Sequence, residues 1–413
     1  MTCEIFFPNL WFDDELGGRS PQLSTSVQQA VAPISLAVPL LAGSPFTDTR
    51  RRIICITRDL PDHTPDALRH VEYMTSQQFA RQADSSFRFS PWGWSSSARD
   101  TARQLGLQSV WASDPAAVTA INSRRFQAEC ESVLGEHGPP LSSHVCLSAD
   151  DVDIAVREIV RQGYAAWVLK SEYSGSGRQR RIGNDAGLSE QDRQWLRRQI
   201  QLGNCILAEP LLDVISECGI QYWISSTAQE PSSNVSRGFA SRLQGVTELL
   251  TTKAGQFVGS VAGPGNSLSD RWAPALSGGA RVAQLAGECG YRGPLGIDCM
   301  MYRDVSGDLR IRVAHDVNGR QTMGRLALGC RGLTNPNSWL AWFSVSAAKA
   351  AAIRKTVCDI ASPDVGFIPT SPQRISGREV TTSTAAIAGE NLMDLMRVLH
   401  SHCEIRQKLP IAG

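Results

Sequence analysis

The sequence predicts a mixed α/β (α+β) protein, and three observations carry that prediction. Residues 1–112 alternate short apolar runs with helix-type stretches, the pattern of a parallel or mixed sheet. Residues 165–182 read as a strand, a loop of small residues and a return strand. Residues 246–261 and 294–317 read as antiparallel hairpins, turning at Lys253-Ala254-Gly255 and at Ser306-Gly307-Asp308. A chain of 413 residues is long enough for two or three domains with cores of their own.

Composition narrows the class. Hydrophobic content of 42% with 20% charged residues is that of an ordinary globular protein. A net charge of +1 gives no reason to expect nucleic acid as a partner. Nor does the chain call for a membrane. No basic stretch followed by an apolar one opens it. The most apolar early run, residues 31–43, is too short to span a bilayer and is broken by Pro33 and Pro39. The eleven cysteines are scattered, with no CxxC pair and no zinc-type spacing, as expected of reduced thiols in a cytoplasmic protein. Of 41 Lys and Arg, only Lys170, Lys253, Lys349, Lys355 and Lys408 are lysines, so a lysine here is not a default filler.

Taken in order, residues 4–7 and 52–57 read as buried strands, with helix and turn over 27–41 between them. The aromatic stretch 85–94 reads as a loop packed on the core, Trp92 and Trp94 filling it rather than stacking on a ligand. Ser97 caps a helix that Gly106 stops, and 108–112 is a further strand. No GxGxxG follows a strand, which argues against a dinucleotide fold. Asp114-Pro115 opens one helix and Asn122-Ser123 caps the next, 124–134. Asp150 or Asp151 starts a helix closed by Gly163. Ser189 caps another over 190–202. An apolar strand, 204–208, ends in Glu209-Pro210-Leu211-Leu212, and Glu217 precedes the strand 220–225. Residues 266–274 read as loop; helices are expected over 279–289, 321–328, 338–355 and 389–403, with loop over 363–377.

Two stretches carry chemistry. The loop 171–178, Ser-Glu-Tyr-Ser-Gly-Ser-Gly-Arg, exposes backbone N–H groups that can converge on a phosphate, with Lys170 at its base. It is not a Walker A loop, and taken alone it reads more readily as a surface hairpin. Glu209, taken alone, reads as a strand-end acid facing water. The second stretch is the hairpin 290–324. Folded antiparallel about Gly307, it sets Asp298 opposite Asp316 on one face. Asn318, two residues on, shares that face, with Arg320 two further. Two carboxylates and an amide oxygen at one point suit a hard divalent cation such as Mg²⁺. From spacing alone, a solvated hairpin with its acids in water fits equally well, and a one-residue slip would separate the faces.

The ordered set of these parts resembles the ATP-grasp superfamily, in particular its carboxylate–amine ligases. The set is a strand with Lys170 and a Gly/Ser loop, a strand ending Glu-Pro-Leu-Leu, Glu217, Gly-Tyr-Arg-Gly, a strand Asp and Asp-x-Asn-x-Arg. The resemblance covers about residues 114–330. It implies an ATP-grasp fold with a pre-ATP-grasp α/β domain over 1–113, a lid and central subdomain over 114–208, and a C-terminal antiparallel-sheet subdomain with a metal site over 209–330. Residues 331–413 are then expected as a helical tail packed on the catalytic core.

The resemblance also assigns roles. Arg124 and Lys170 would grip ATP phosphates, and Ser174, Gly175, Ser176 and Gly177 would form the phosphate lid. Glu209, Pro210 and Leu212 would form the hinge that reads adenine, and Glu217 would bind the ribose hydroxyls. Asp298, Asp316 and Asn318 would hold Mg²⁺. Arg292 would steady the transferred phosphate as a catalytic residue, and Arg320 would lie near the acyl substrate. The chain departs from the family twice: Arg124 stands where lysine is common, and Asp316 where Glu is usual. The implied reaction joins a small-molecule carboxylate to an amine, amino acids and peptides being the expected class, through an acylphosphate with release of ADP and phosphate. The alternatives are a nucleotide-binding pseudoenzyme or regulator with this fold, motivated by the two departures, and an ATP-grasp-type kinase.

Overall fold

The computed structural model describes residues 3–19, 25–43, 52–80, 87–109, 113–135, 143–174, 179–184, 187–227, 238–359 and 365–406. Strands Cys3–Phe7, Arg52–Ile56, Val71–Met74, Phe87–Pro91 and Gln108–Ser109 form one parallel sheet, in the order third, second, first, fourth, fifth. The first two strands are apolar along most of their length, as parallel strands covered on both faces are. The order reverses between the first and fourth strands, and in such sheets ligands bind outside the carboxyl ends at that reversal. Here Trp92 N–H donates to the Phe7 carbonyl and Gln321 N–H to the Trp92 carbonyl, both at 2.8 Å. The reversal point is thereby joined to the end of the hairpin that carries Asp298 and Asp316.

The stretch expected as an aromatic loop over 85–94 contains the strand Phe87–Pro91, while Trp92 and Trp94 are buried as expected. The following helix, Ser96–Gln104, is capped by Ser95 and not by Ser97, because the Ser97 hydroxyl donates to Glu15 Oε2 at 2.8 Å.

A second, antiparallel sheet orders His144–Cys146, Ile206–Pro210, Trp167–Ser171 and Arg180–Gly183. Helices Ala149–Arg161 and Glu190–Gln201 pack on it through Val152, Val156, Ile159, Trp195 and Leu196. Both helices start in capping boxes, Ser148 with Asp151 and Ser189 with Asp192. The sheet thus has its own apolar core and carries Lys170 and Glu209 on adjacent strands.

The third sheet is antiparallel and eight-stranded. Its order is Leu309–Asn318, Gly293–Arg303, Asp213–Ser226, Phe239–Thr251, Phe257–Ala262, Trp339–Ser346, Thr382–Gly389, Gly366–Pro369. Two sequence expectations fail here. Residues 338–355, expected as one helix, are the strand Trp339–Ser346 and then the helix Ala347–Asp359. The described part of residues 331–413, expected as a helical tail, supplies three strands of this sheet, two of them between two others. The reason is burial: an inner strand covered on both faces has a continuous apolar run, which periodicity does not separate from a buried helix. The loop expected over 266–274 holds the short helix Ser267–Arg271, and the next helix begins at Ala273.

One close approach locks the parallel sheet's first crossover to the rest. Helix Met323–Cys330 lies against the 3-10 turn Val38–Ala42, and a Cβ on Gly329 would stand 2.0 Å from the Leu40 carbonyl oxygen. That neighbour is backbone and cannot rotate away. Gly329→Ala is therefore expected to lose roughly 1–3 kcal/mol of stability, measured by urea unfolding.

Candidate functional site

The hairpin Gly293–Arg303 to Leu309–Asn318 pairs Asp298 with Asp316 and Gly296 with Asn318. That is the expected register, reached by an unexpected route. Near the turn the pairs centre on Ser306, with Met301 opposite Ile311 and Tyr302 opposite Arg310. Between Met300↔Arg312 and Asp298↔Asp316, Cys299 alone faces residues 313–315, and Ala314 takes a φ of 62°. This bulge inserts two residues, which keeps the parity of the ladder and so brings the two acids face to face.

Asp298, Asp316 and Asn318 line one cavity together with Lys170, Glu209 and Arg124. Asn318 Nδ2 donates to Asp298 Oδ2 at 3.2 Å. Burial pushes the Asp298 carboxyl well above the aspartate range, and the negative charge of Asp316 opposite pushes it further. A cation between the two acids would remove that repulsion. Two carboxylates and an amide fit Mg²⁺, which completes its shell with phosphate and water. Among the described residues no three His, Cys, Asp or Glu side chains form a metal cage by themselves. Arg124 meets Asp316 from the first turn of the helix Arg124–Leu134. Its Nη1 and Nη2 donate to Asp316 at 2.5 and 3.2 Å, and Nη2 also donates to the Ser174 carbonyl at 3.2 Å.

Glu209 does not face water. Its side chain is 3% exposed and is held between Lys170 Nζ and Arg312 Nη2, the latter at 2.7 Å. Burial would raise its pKa, but Arg312 and Lys170 outweigh that and hold the carboxyl well below the usual range. Arg312 Nε in turn donates to Glu131 Oε1 at 2.8 Å, which ties the hairpin to the helix Arg124–Leu134. Burial lowers the pKa of Lys170 in spite of Glu209, with the Arg124 and Arg312 cations adding to the effect. Pro210 and Leu212, after Glu209, line the cavity. Glu217 lines it too, its Oε2 accepting the Thr251 hydroxyl at 2.8 Å.

The remaining expected residues divide. Ser174 lines the cavity at the base of its loop, whereas Gly175, Ser176 and Gly177 lie outside the described residues. Arg320 reaches the cavity but is not free there: its Nε and Nη2 each donate to Asp13 at 3.0 Å. Asp13 sits on the short helix Phe12–Leu16, beyond the carboxyl end of the first parallel strand. Arg292 is not brought to the cavity. Its Nη1 donates to the carbonyls of Gly287 at 3.0 Å and Tyr291 at 2.6 Å, and its guanidinium stacks on Phe239 at 5.1 Å. Placing it at the transferred phosphate is therefore corrected: this arginine closes the C-terminal end of the helix Ala273–Glu288.

Sequence reasoning missed Asp13, Arg312 and His315. The last two had a signal, since a charged residue and a histidine inside a strand of a covered sheet ask for partners. Asp13 had none, lying 307 residues from its partner.

Sheet order, the four-stranded sheet that carries Lys170 and Glu209, and the facing acids together define an ATP-grasp fold. No protein-family model matches the sequence, and no curated protein matches it. Solved structures do. N5-carboxyaminoimidazole synthetase from Staphylococcus aureus, complexed with ADP, superposes with a TM-score of 0.55 at 11% identity over 97% of this chain and 96% of that one. A biotin carboxylase from Campylobacter jejuni gives 0.56 at 11% identity over 97% and 91%. The biotin carboxylase domain of 2-oxoglutarate carboxylase from Hydrogenobacter thermophilus, in complex with MgADP and bicarbonate, gives 0.53 at 10% over 97% and 90%.

Proposed function

We propose that this protein is an ATP-dependent carboxylate–amine ligase that forms an amide or peptide bond through an acylphosphate. The observation that carries the reading is the convergence of Asp298, Asp316 and Asn318 with Lys170, Arg124 and Arg320 on one cavity. The fold neighbours, crystallised with ADP or MgADP, support the nucleotide. Lys170 and Arg124 neutralise phosphate charge as it is transferred, where positioning and electrostatics supply most of the catalysis, and Arg320 lies near the acyl substrate. Mg²⁺, held by Asp298, Asp316 and Asn318, would supply further charge neutralisation to the phosphates. The γ-phosphate passes to a substrate carboxylate, and an amine displaces phosphate from the acylphosphate. Small carboxylates and amines, amino acids or peptides among them, are the substrates to test.

The test is product analysis. The protein is incubated with Mg²⁺, ATP and pooled carboxylates and amines, and ADP is resolved from AMP. Substrate-dependent ADP with a new amide is expected, and Lys170→Ala should lower it roughly 100-fold or more. AMP would overturn the reading. One contact favours a second reading, a nucleotide-binding regulator without turnover: the Arg124–Asp316 pair already neutralises a metal-side acid. MgADP binding with no turnover across the panel would select it.

A further inference from the structure

Two arginines reach the cavity from parts of the chain that the site described above does not use. Arg180 opens the return strand Arg180–Gly183 of the four-stranded sheet. Arg406 follows the last helix, Leu392–His402, and its backbone N–H donates to the Thr251 carbonyl at 2.7 Å. Both side chains meet over the turn that comes next, Thr252-Lys253-Ala254-Gly255-Gln256. Arg180 Nη2 donates to the Ala254 carbonyl, and Arg406 Nη2 to the Lys253 carbonyl at 3.3 Å. A Cβ on Gly255 would stand 3.2 Å from both Nη atoms of Arg180 and from Nη2 of Arg406. The two guanidinium groups therefore crowd one point, which glycine leaves open. Arg180, Gly255 and Arg406 all line the cavity.

Like charges brought together repel, and here no carboxylate stands between them. Among the described residues neither arginine forms an ion pair; the partners of both are neutral carbonyls. Their shared turn has no acid and adds a lysine, Lys253. Burial and then the Arg406 charge lower the Arg180 pKa, and Glu217 is the carboxylate that opposes them. Glu217 is turned elsewhere: its Oε2 accepts from Thr251 at 2.8 Å, and its Oε1 lies 3.8 Å from His315 Nε2. The other cations of the cavity wall are all paired. Lys170, opposite Arg180 in the ladder, and Arg312 hold Glu209, Arg124 holds Asp316, and Arg320 holds Asp13. The uncompensated positive charge of the wall is thus gathered at Gly255. An anion seated there would relieve the repulsion and accept from both forks. Two guanidinium groups around one point suit a dianionic phosphate better than a single carboxylate.

We propose that Arg180 and Arg406, on either side of Gly255, bind a phosphate group at the rim of the cavity, separately from Lys170 and Arg124. Inorganic phosphate and a simple phosphate monoester, glycerol phosphate, are each titrated calorimetrically into the full chain. Neither nucleotide nor Mg²⁺ is added, so the result is independent of the nucleotide reading above. Wild type should bind at least one of the two. Arg180→Met and Arg406→Met should each weaken that binding about 10-fold or more, the worth of a hydrogen bond to a charged group. Both side chains bond only to turn carbonyls, so neither change takes an ion pair from the fold. Arg406→Lys, which keeps the charge without the fork, should lose only part of the affinity. Lys170→Ala should leave it unchanged. Tighter binding of the ester marks the occupant as a phosphorylated small molecule, and equal or tighter binding of inorganic phosphate marks it as the free ion. The proposal is overturned if wild type binds neither, if both methionine variants bind as wild type does, or if Lys170→Ala loses as much as they do.

Discussion

Asp298→Asn should cut substrate-dependent ADP formation by roughly 10²–10³-fold, the usual cost of one charge-stabilising group at a transferring centre. The same change should act in the opposite direction on the metal-free fold. In the native protein the Asp298 carboxyl is pushed up to about 8 by burial and by Asp316, against an ordinary value of 3.8. The folded state therefore binds a proton that the unfolded chain gives up. This contribution to stability is fully present below about pH 4 and is lost as pH rises through the native value. Unfolding of the metal-free wild type, followed in urea from pH 4 to 9, should show that decline, and Asp298→Asn should lack it. A variant less active yet no less stable at pH 8 is thus the expected result. Parallel pH profiles for the two proteins would contradict it.

Arg312→Met should have the largest effect on stability. The guanidinium is 2% exposed and stands between Glu131 and Glu209, with the Ser143 hydroxyl 3.1 Å away. Its removal leaves Glu131 without this partner and Glu209 with Lys170 alone. Breaking a buried ionic group in this way typically costs about 3–5 kcal/mol. Arg312→Lys should recover only part, since one ammonium cannot span both carboxylates as a planar fork does. Denaturant midpoints of the three proteins, compared at constant m-value, measure both claims.

Local chemistry made some of this architecture legible in the sequence. Asp114 and Ser123 cap the helices expected of them, and Ser189 does the same for Glu190–Gln201. The facing of Asp298 and Asp316 was readable because an insertion of two residues leaves the alternation of a strand intact; an insertion of one would have hidden it. What resisted reading was set by distant parts of the chain. The motif around Arg292 suggested a phosphate contact, but Phe239 and two carbonyls at a helix end take up the side chain. Arg320 was placed at the cavity without any sign that Asp13 would hold it. Residues 339–346 are apolar at nearly every position, and only their neighbours in the sheet decide that they are strand.

The position of that strand bears on how far the chain can be shortened. Every motif that suggested the fold lies before residue 331, so a truncation there looks harmless on paper. Strand Trp339–Ser346, however, covers one side of Phe257–Ala262 with backbone hydrogen bonds. Without it, the sequence Phe-Val-Gly-Ser-Val-Ala would stand as a naked edge, apolar and uncharged, open to pairing with the same edge of another copy. Such a fragment is expected to aggregate into insoluble material rather than behave as a smaller version of the protein. The later strands act as a guard against self-association as much as a support for the site.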